Sequence, residues 1–392
     1  MSPLPCRLAL LLSAFLAACA STEIAGPQLP PDLARRADGG IARPWSTALE
    51  EQDIRDRLVR LLPATVKDKA GWALDLYMAF AYLKIPHAGE TYCTVMAVTE
   101  QESGFHADPA VPGLPAIVRK ELDRRAEKYG VPKLLIAGAM SLKSPDGRSY
   151  EERIDALKTE KQLNVLYEDM IGELPFGKAL LADYNPVHTA GPMQVGIEFA
   201  ERHAGEKPYP YPIARKLRDE VFTRRGGLYF GTAILLDYPA PYDNVVYRFA
   251  DFNAGRYASR NAAFQAALSR YTGKPLSLDG DLLRYENGQP AEAPSQVEAL
   301  LRSASGPLGL GTTEIRRDLL LEKGGAFGQS ALYKRVFALA DHAAGAPLPR
   351  QAMPGIDLKS PKITRKLTTE WFARRVDDRY RKCLARAHDT AS

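Results

Sequence analysis

Val95-Met96-Ala97-Val98-Thr99-Glu100-Gln101-Glu102-Ser103-Gly104-Phe105 is an apolar helical run that ends by presenting a carboxylate. Tyr92, Val95, Met96 and Thr99 recur at three- and four-residue spacing, so they share one helical face, and Glu102 falls at the end of that stripe. Glu100 lies two residues earlier, about 200° around the helix, which keeps the two carboxylates from acting at one reacting centre. Glu102 is therefore the chemical candidate, and Glu100 reads as a solvated neighbour. Gly104 stops the helix and Asp108-Pro109 opens a turn.

A glutamate at the inner end of an apolar helix should titrate high, because a low-dielectric setting disfavours its charged form. A carboxyl that keeps its proton near neutral pH is a usable general acid, as in the cleavage of glycosidic bonds. The plainer alternative is a glutamate that caps its helix or pairs with an arginine.

Two further stretches bear on that choice. Gly191-Pro192-Met193-Gln194-Val195 follows the turn-rich Asn185-Pro186-Val187-His188-Thr189-Ala190, and Phe252-Asn253-Ala254-Gly255 closes the apolar run Val245 to Ala250. Taken in order with Glu102-Ser103-Gly104-Phe105, they resemble the lytic transglycosylase and goose-type lysozyme superfamily. Its pattern is a helix ending Glu-Ser-Gly-Phe, then Gly-Leu-Met-Gln, then Ala-Tyr-Asn-Ala-Gly. Gly231-Thr232-Ala233-Ile234-Leu235-Leu236 matches a helix that the family carries between the last two. The resemblance covers about Ala70 to Tyr271.

The resemblance implies a mainly α fold with a lysozyme-like helical lobe over about 45–275; helical patterns beyond the family's motifs add a helical insertion at about 108–183 and a helical extension over 276–392. It implies that Glu102 is the catalytic acid and base, acting on the bond between N-acetylmuramic acid and N-acetylglucosamine in peptidoglycan, with no cofactor. Met193 and Gln194 then take the family's groove-lining places. Ser103, Phe252 and Asn253 fall where the family contacts the acid or the sugar. Three departures stand out. Pro192 replaces the usual Leu, Phe252 replaces a Tyr whose phenol points toward the acid, and some 85 residues separate Phe105 from Gly191 where the family needs a short loop. A lysozyme-type hydrolase would need one more carboxylate to position water, and Asp108, Asp183 and Asp251 lie in or near the motifs. A non-catalytic lipoprotein that keeps the groove to bind glycan is the third reading.

A chain of 392 residues, 45% of them hydrophobic, can bury a large core, as two lobes or as one heavily elaborated domain. The formal charge of +5 becomes +4 if Arg7 leaves with a leader, a mild excess whose sign suits the carboxylates of peptidoglycan. No basic cluster interleaved with aromatics points to nucleic acid. Leu8 to Leu16 is an apolar core too short to span a bilayer, and Leu16-Ala17-Ala18-Cys19 after it resembles the bacterial lipobox. Residues 1–18 thus read as a signal peptide and Cys19 as the lipidated first residue of the mature chain. A Pro- and Gly-rich tether follows over 19–44. With Ala20 and Ser21 after the cysteine, lipoprotein sorting implies the periplasmic face of the outer membrane.

That reading leaves Cys93 and Cys383 as the thiols of the folded part, either bridged or buried free, since sequence does not supply their separation. Two cysteines and six histidines without ligand spacing give no metal site. Helices are expected at Leu49 to Leu62, Gly71 to Ile85, Ala116 to Tyr129, Tyr150 to Leu174, Ile197 to His203 and Gly226 to Leu236. Helical patterns recur at Val297 to Arg302, Ile315 to Leu321, Ser330 to His342 and Leu367 to Ala387. Asn287-Gly288 suggests a hairpin, and Trp371 and Phe372 read as docking residues of the last helix. The insertion's cations, such as Arg119-Lys120 and Arg124-Arg125, read as a solvated helix face.

Overall fold

Helix α3 (Gly89–Ser103), which carries Glu102, runs through the middle of the protein: every residue from Tyr92 to Thr99 is buried. The computed structural model describes residues 48–240, 242–286, 288–358 and 365–389. The leader, Cys19, the tether, Asn287 and Pro361 lie outside them. A helix sealed on all sides must satisfy its polar residues internally. Thr94 and Thr99 do so by donating their hydroxyls to Glu90 O and Val95 O, at 2.7 and 2.9 Å. The single apolar stripe expected from sequence is thus the whole circumference of α3.

The fold is mainly α, as its helical periodicities predict, and the described residues hold three two-residue antiparallel strand pairs. Helix α1 (Ala48–Leu61) packs on α2 (Lys69–Leu83), and α2 packs on α11 (Arg224–Leu236). Helix α11 also touches α3 and α12 (Val246–Ala254). The last helix, α18 (Thr369–Asp389), returns across the chain to cover both α3 and α12. Phe372, Ala373, Val376 and Cys383 on α18 belong to the same apolar core as α2 and α3. The carboxyl-terminal segment therefore completes the first core instead of merely leaning on it.

A second core lies between α13 (Ala258–Thr272) and α17 (Ala331–Ala344), with Phe264, Phe327 and Phe337 at its centre. Helices α14 (Gln296–Ser303), α15 (Ser305–Leu308) and α16 (Thr312–Leu319) close around it. The hairpin expected near Asn287-Gly288 forms with Tyr285 opposite Pro290 and Glu286 opposite Gln289. Buried Glu322 holds this region by accepting hydrogen bonds from Leu283 N and, at 2.6 Å, from the Tyr285 hydroxyl.

The insertion folds as α4 (Leu114–Lys128), α5 (Lys133–Ser141), α6 (Tyr150–Asp155), α7 (Glu160–Gly172) and α8 (Gly177–Leu181). The single helix expected from Tyr150 to Leu174 is two helices. Thr159 accepts from Gln162 N at 3.3 Å while the Gln162 side chain accepts from Thr159 N at 3.3 Å, a capping box that starts a new helix. The insertion's arginines meet carboxylates: Arg119 pairs with Asp155 and Arg124 with Glu121, both at 2.6 Å.

Candidate active site

Glu102 sits in the last turn of α3, partly exposed, where the sealed part of the helix meets the surface. Glu100, about 200° around, points the other way, into an ion pair with Arg379 of α18 at 3.8 Å. Glu100 therefore stays partly solvated, as spacing suggests, and also faces the last helix. The same face of α3 is bound to α18 two turns earlier by a disulfide between Cys93 and Cys383, whose Cα atoms are 5.5 Å apart. Sequence left that bridge open because residues 290 positions apart give no hint of their separation.

The chain turns away sharply after Glu102. Gly104 (φ +58°) and Phe105 (φ +62°) are both left-handed, and the Gly104 N–H closes the helix on Glu100 O at 3.1 Å. A left-handed phenylalanine costs on the order of 1–3 kcal/mol. Its ring offsets this by burying edge-on against Trp72, with centroids 5.2 Å apart. Trp72 in turn lies under the Arg224 guanidinium, which pairs with Asp68 and Asp75. The exit of the Glu102 helix is thus fixed from α2 and α11. Ser103, expected near the acid or sugar, donates its hydroxyl back to Thr99 O at 3.0 Å.

Gly191-Pro192-Met193-Gln194 is the loop of a hairpin between β1 (Thr189–Ala190) and β2 (Val195–Gly196). The loop presses on α11 at two glycines one turn apart. A methyl at Gly227 would overlap the Pro192 ring, and one at Gly231 would overlap the Met193 side chain. This close approach accounts for Pro192: the ring fills the space that Gly227 leaves. Met193 is fully buried, so it supports the loop from beneath and does not line a groove, a correction to the place the resemblance assigns it. Gln194 is left-handed (φ +49°) and partly exposed, with Oε1 accepting from the Thr189 hydroxyl at 3.2 Å.

Phe252 is partly buried on the first core, and Asn253, next to it on α12, accepts a hydrogen bond from the Thr369 hydroxyl at 2.8 Å. Thr369 is fully buried at the start of α18. Nothing in the sequence around Thr369 marks it as part of this site. Its role follows only from α18 folding back over α12.

The other carboxylates divide clearly. Asp251 is buried and accepts from Tyr238 and Tyr242 hydroxyls and from Tyr257 and Ser259 N–H groups, at 2.6–3.1 Å. Burial pushes its carboxyl above the ordinary range while these donors pull it back. It joins α12 to α13 and has no access for a substrate water. Asp183 is exposed, and Asp108 accepts from the Thr159 hydroxyl at 2.9 Å. Among the described residues no group of three or more His, Cys, Asp or Glu is placed to hold a metal ion.

A cleft of about 580 Å³ opens at the opposite end of α3, lined by Lys84, Thr91, Lys207, Tyr238 and Arg248 among others. Thr91 lies roughly 16 Å from Glu102 along the helix, so this cleft is separate from the carboxylate.

Residues 65–386 match a family described as a protein of unknown function, DUF1615. The chain belongs to the DUF1615 family. It is 50% identical over 334 residues to a relative from Escherichia coli strain K12 named "Uncharacterized protein YaiW", covering 85% of this chain and 90% of that one. No solved structure matches. The family match begins before α2 and ends within α18, so both cysteines of the Cys93–Cys383 bridge lie inside it.

Proposed function

We propose that this DUF1615 chain is a lytic transglycosylase that cleaves peptidoglycan glycan strands with Glu102 as its single acid and base. The observation that carries the reading is the position of Glu102: partly exposed at the end of an otherwise sealed helix, on the side away from the Glu100–Arg379 pair. The resemblance in Gly191–Gln194 and Phe252–Asn253 supports it, together with the contacts of α11 with both β2 and α3 and of α18 with both α12 and α3.

In this reaction the Glu102 carboxyl gives its proton to the oxygen between N-acetylmuramic acid and N-acetylglucosamine, and the bond to the muramic anomeric carbon breaks. The acetamido carbonyl oxygen of the same sugar bonds to that carbon. The Glu102 carboxylate then takes the proton of the muramic 6-hydroxyl, whose oxygen displaces the acetamido group and forms a 1,6-anhydro ring. Glu102 ends protonated, and no water is consumed. Substrate assistance removes the need for a second carboxylate, in keeping with a sealed Asp251.

Fully buried Met193 and the Thr369 bond already held by Asn253 favour a second reading, a lipoprotein that binds glycan without cutting it. Incubating the mature chain with purified sacculi and weighing the soluble products separates the readings. Transglycosylation gives ends one water lighter than a hydrolase gives, and a pure binder releases nothing.

A further inference from the structure

Helix α5, Lys133-Leu134-Leu135-Ile136-Ala137-Gly138-Ala139-Met140-Ser141, is apolar around its circumference yet has no buried residue. A soluble helix of that composition belongs in a core or against a non-aqueous phase. Leu134 is 83% exposed, and Leu135, Leu142, Tyr129 and Val131 around it are exposed as well. A second exposed apolar run, Leu174, Phe176 (81% exposed) and Leu180, lies on α8 and its approach. Buried Tyr150 ties both runs to the same subdomain: its N–H bonds Leu142 O at 3.1 Å and its hydroxyl donates to Glu173 at 2.6 Å, next in sequence to Leu174. Isolated exposed leucines need no explanation, but Tyr129, Val131, Leu134, Leu135 and Leu142 exposed together on and around one short helix do.

We propose that this face of the insertion docks on an anionic lipid bilayer, lying in its interface. The charge pattern selects that occupant. From Lys128 to Lys143 the chain holds Lys128, Lys133 and Lys143 and no Asp or Glu, and Lys178 lies between Phe176 and Leu180. The subdomain's arginines are held by its own carboxylates, whereas these exposed lysines adjoin the apolar side chains. Leucine and phenylalanine bordered by lysine is the pattern of a helix that sinks its apolar side below the headgroups while the ammonium groups stay at them. No helix of the described residues is long and apolar enough to cross a membrane, which fits a surface contact. The sequence reading of Cys19 supplies proximity: 28 residues lie between it and Ala48, a span of at most about 100 Å fully extended. The proposal does not rest on the glycan-cleaving reading.

The test uses the full mature chain with Cys19→Ser, which removes any lipid, and sedimentation with vesicles of phosphatidylglycerol and phosphatidylethanolamine. The expected result is that this protein pellets with the vesicles, less so at high salt. The pair Leu134→Glu and Leu135→Glu, and separately Phe176→Glu, should lower partitioning about tenfold or more, because a charge replaces an inserted apolar side chain. Leu320→Glu, at a half-exposed leucine in the second core region, should leave it unchanged. All these positions are exposed, and far-UV circular dichroism checks that each variant is folded. The proposal is overturned if the Cys19→Ser chain stays in the supernatant, or if the Leu134/Leu135 variant pellets as well as its parent. It is also overturned if the face instead drives self-association that those substitutions abolish without any binding to vesicles.

Discussion

The Thr369 hydroxyl donates to Asn253 Oδ1 across 2.8 Å, joining residues 116 positions apart at the junction of α12 and α18. Thr369→Val keeps the shape and removes the donor, leaving the Oδ1 of part-buried Asn253 without this partner. A loss of about 1–2 kcal/mol is expected from urea unfolding, with Thr369→Ser close to the parent. On the functional reading, Thr369→Val also slows muropeptide release more than Thr369→Ser does.

The Cys93–Cys383 bridge closes nearly the whole folded chain, a separation of 290 residues. A loop of that length should contribute about 3–5 kcal/mol by restricting the unfolded chain. Cys93→Ala with Cys383→Ala should lower the denaturant midpoint accordingly. Because both sulfurs are buried, reductant should act on the native protein only slowly. A double variant as stable as the parent would show that the bridge does not hold α18 in place.

Much of the fold was legible because periodicity marks helices that bury apolar faces: α2, α3, α11 and α18 all lie within a few residues of the sequence-based boundaries. The break between α6 and α7 was readable too, in Thr159-x-x-Gln162, but continuous apolar spacing from Ile154 to Leu166 masked it. What periodicity does not carry is long-range contact. The disulfide, the Glu100–Arg379 pair and the Thr369–Asn253 bond all depend on where α18 lands. Met193 shows the limit of motif transfer: the motif supplies a position, while burial under Gly231 decides what the side chain can touch.

Gly227 and Gly205 should respond to alanine in opposite directions. A methyl at Gly227 meets the rigid Pro192 ring, so Gly227→Ala should cost about 1–3 kcal/mol by forcing the Gly191–Gln194 loop off α11. At Gly205, on α9 (Ile197–Glu206), nothing lies near the added carbon, and alanine should stabilise the helix by about 0.5–1 kcal/mol. Thermal unfolding of both variants checks the contrast.

His203 is buried among Phe199, Tyr229 and Phe230, and its Nε2 makes no hydrogen bond among the described residues. Burial holds its pKa below the ordinary 6.5, so the folded protein favours the neutral ring. The unfolded chain takes up the proton first as pH falls, so the contribution of His203 is fully present above about 6.5. It is lost as pH drops through the lowered folded value. His203→Phe should therefore be less sensitive to acid than the parent between pH 7.5 and 5, read as the difference in denaturation midpoint between the two proteins.

The proton on Glu102 is the central claim, and the most direct measurement compares the mature protein with Glu102→Gln on purified sacculi, following released muropeptides by mass. The account predicts anhydro-ended products from the parent and a drop of at least about a hundredfold from the glutamine variant, with glycan still bound and the fold unchanged. Equal release by both proteins, or release by neither with equal glycan binding, would contradict it.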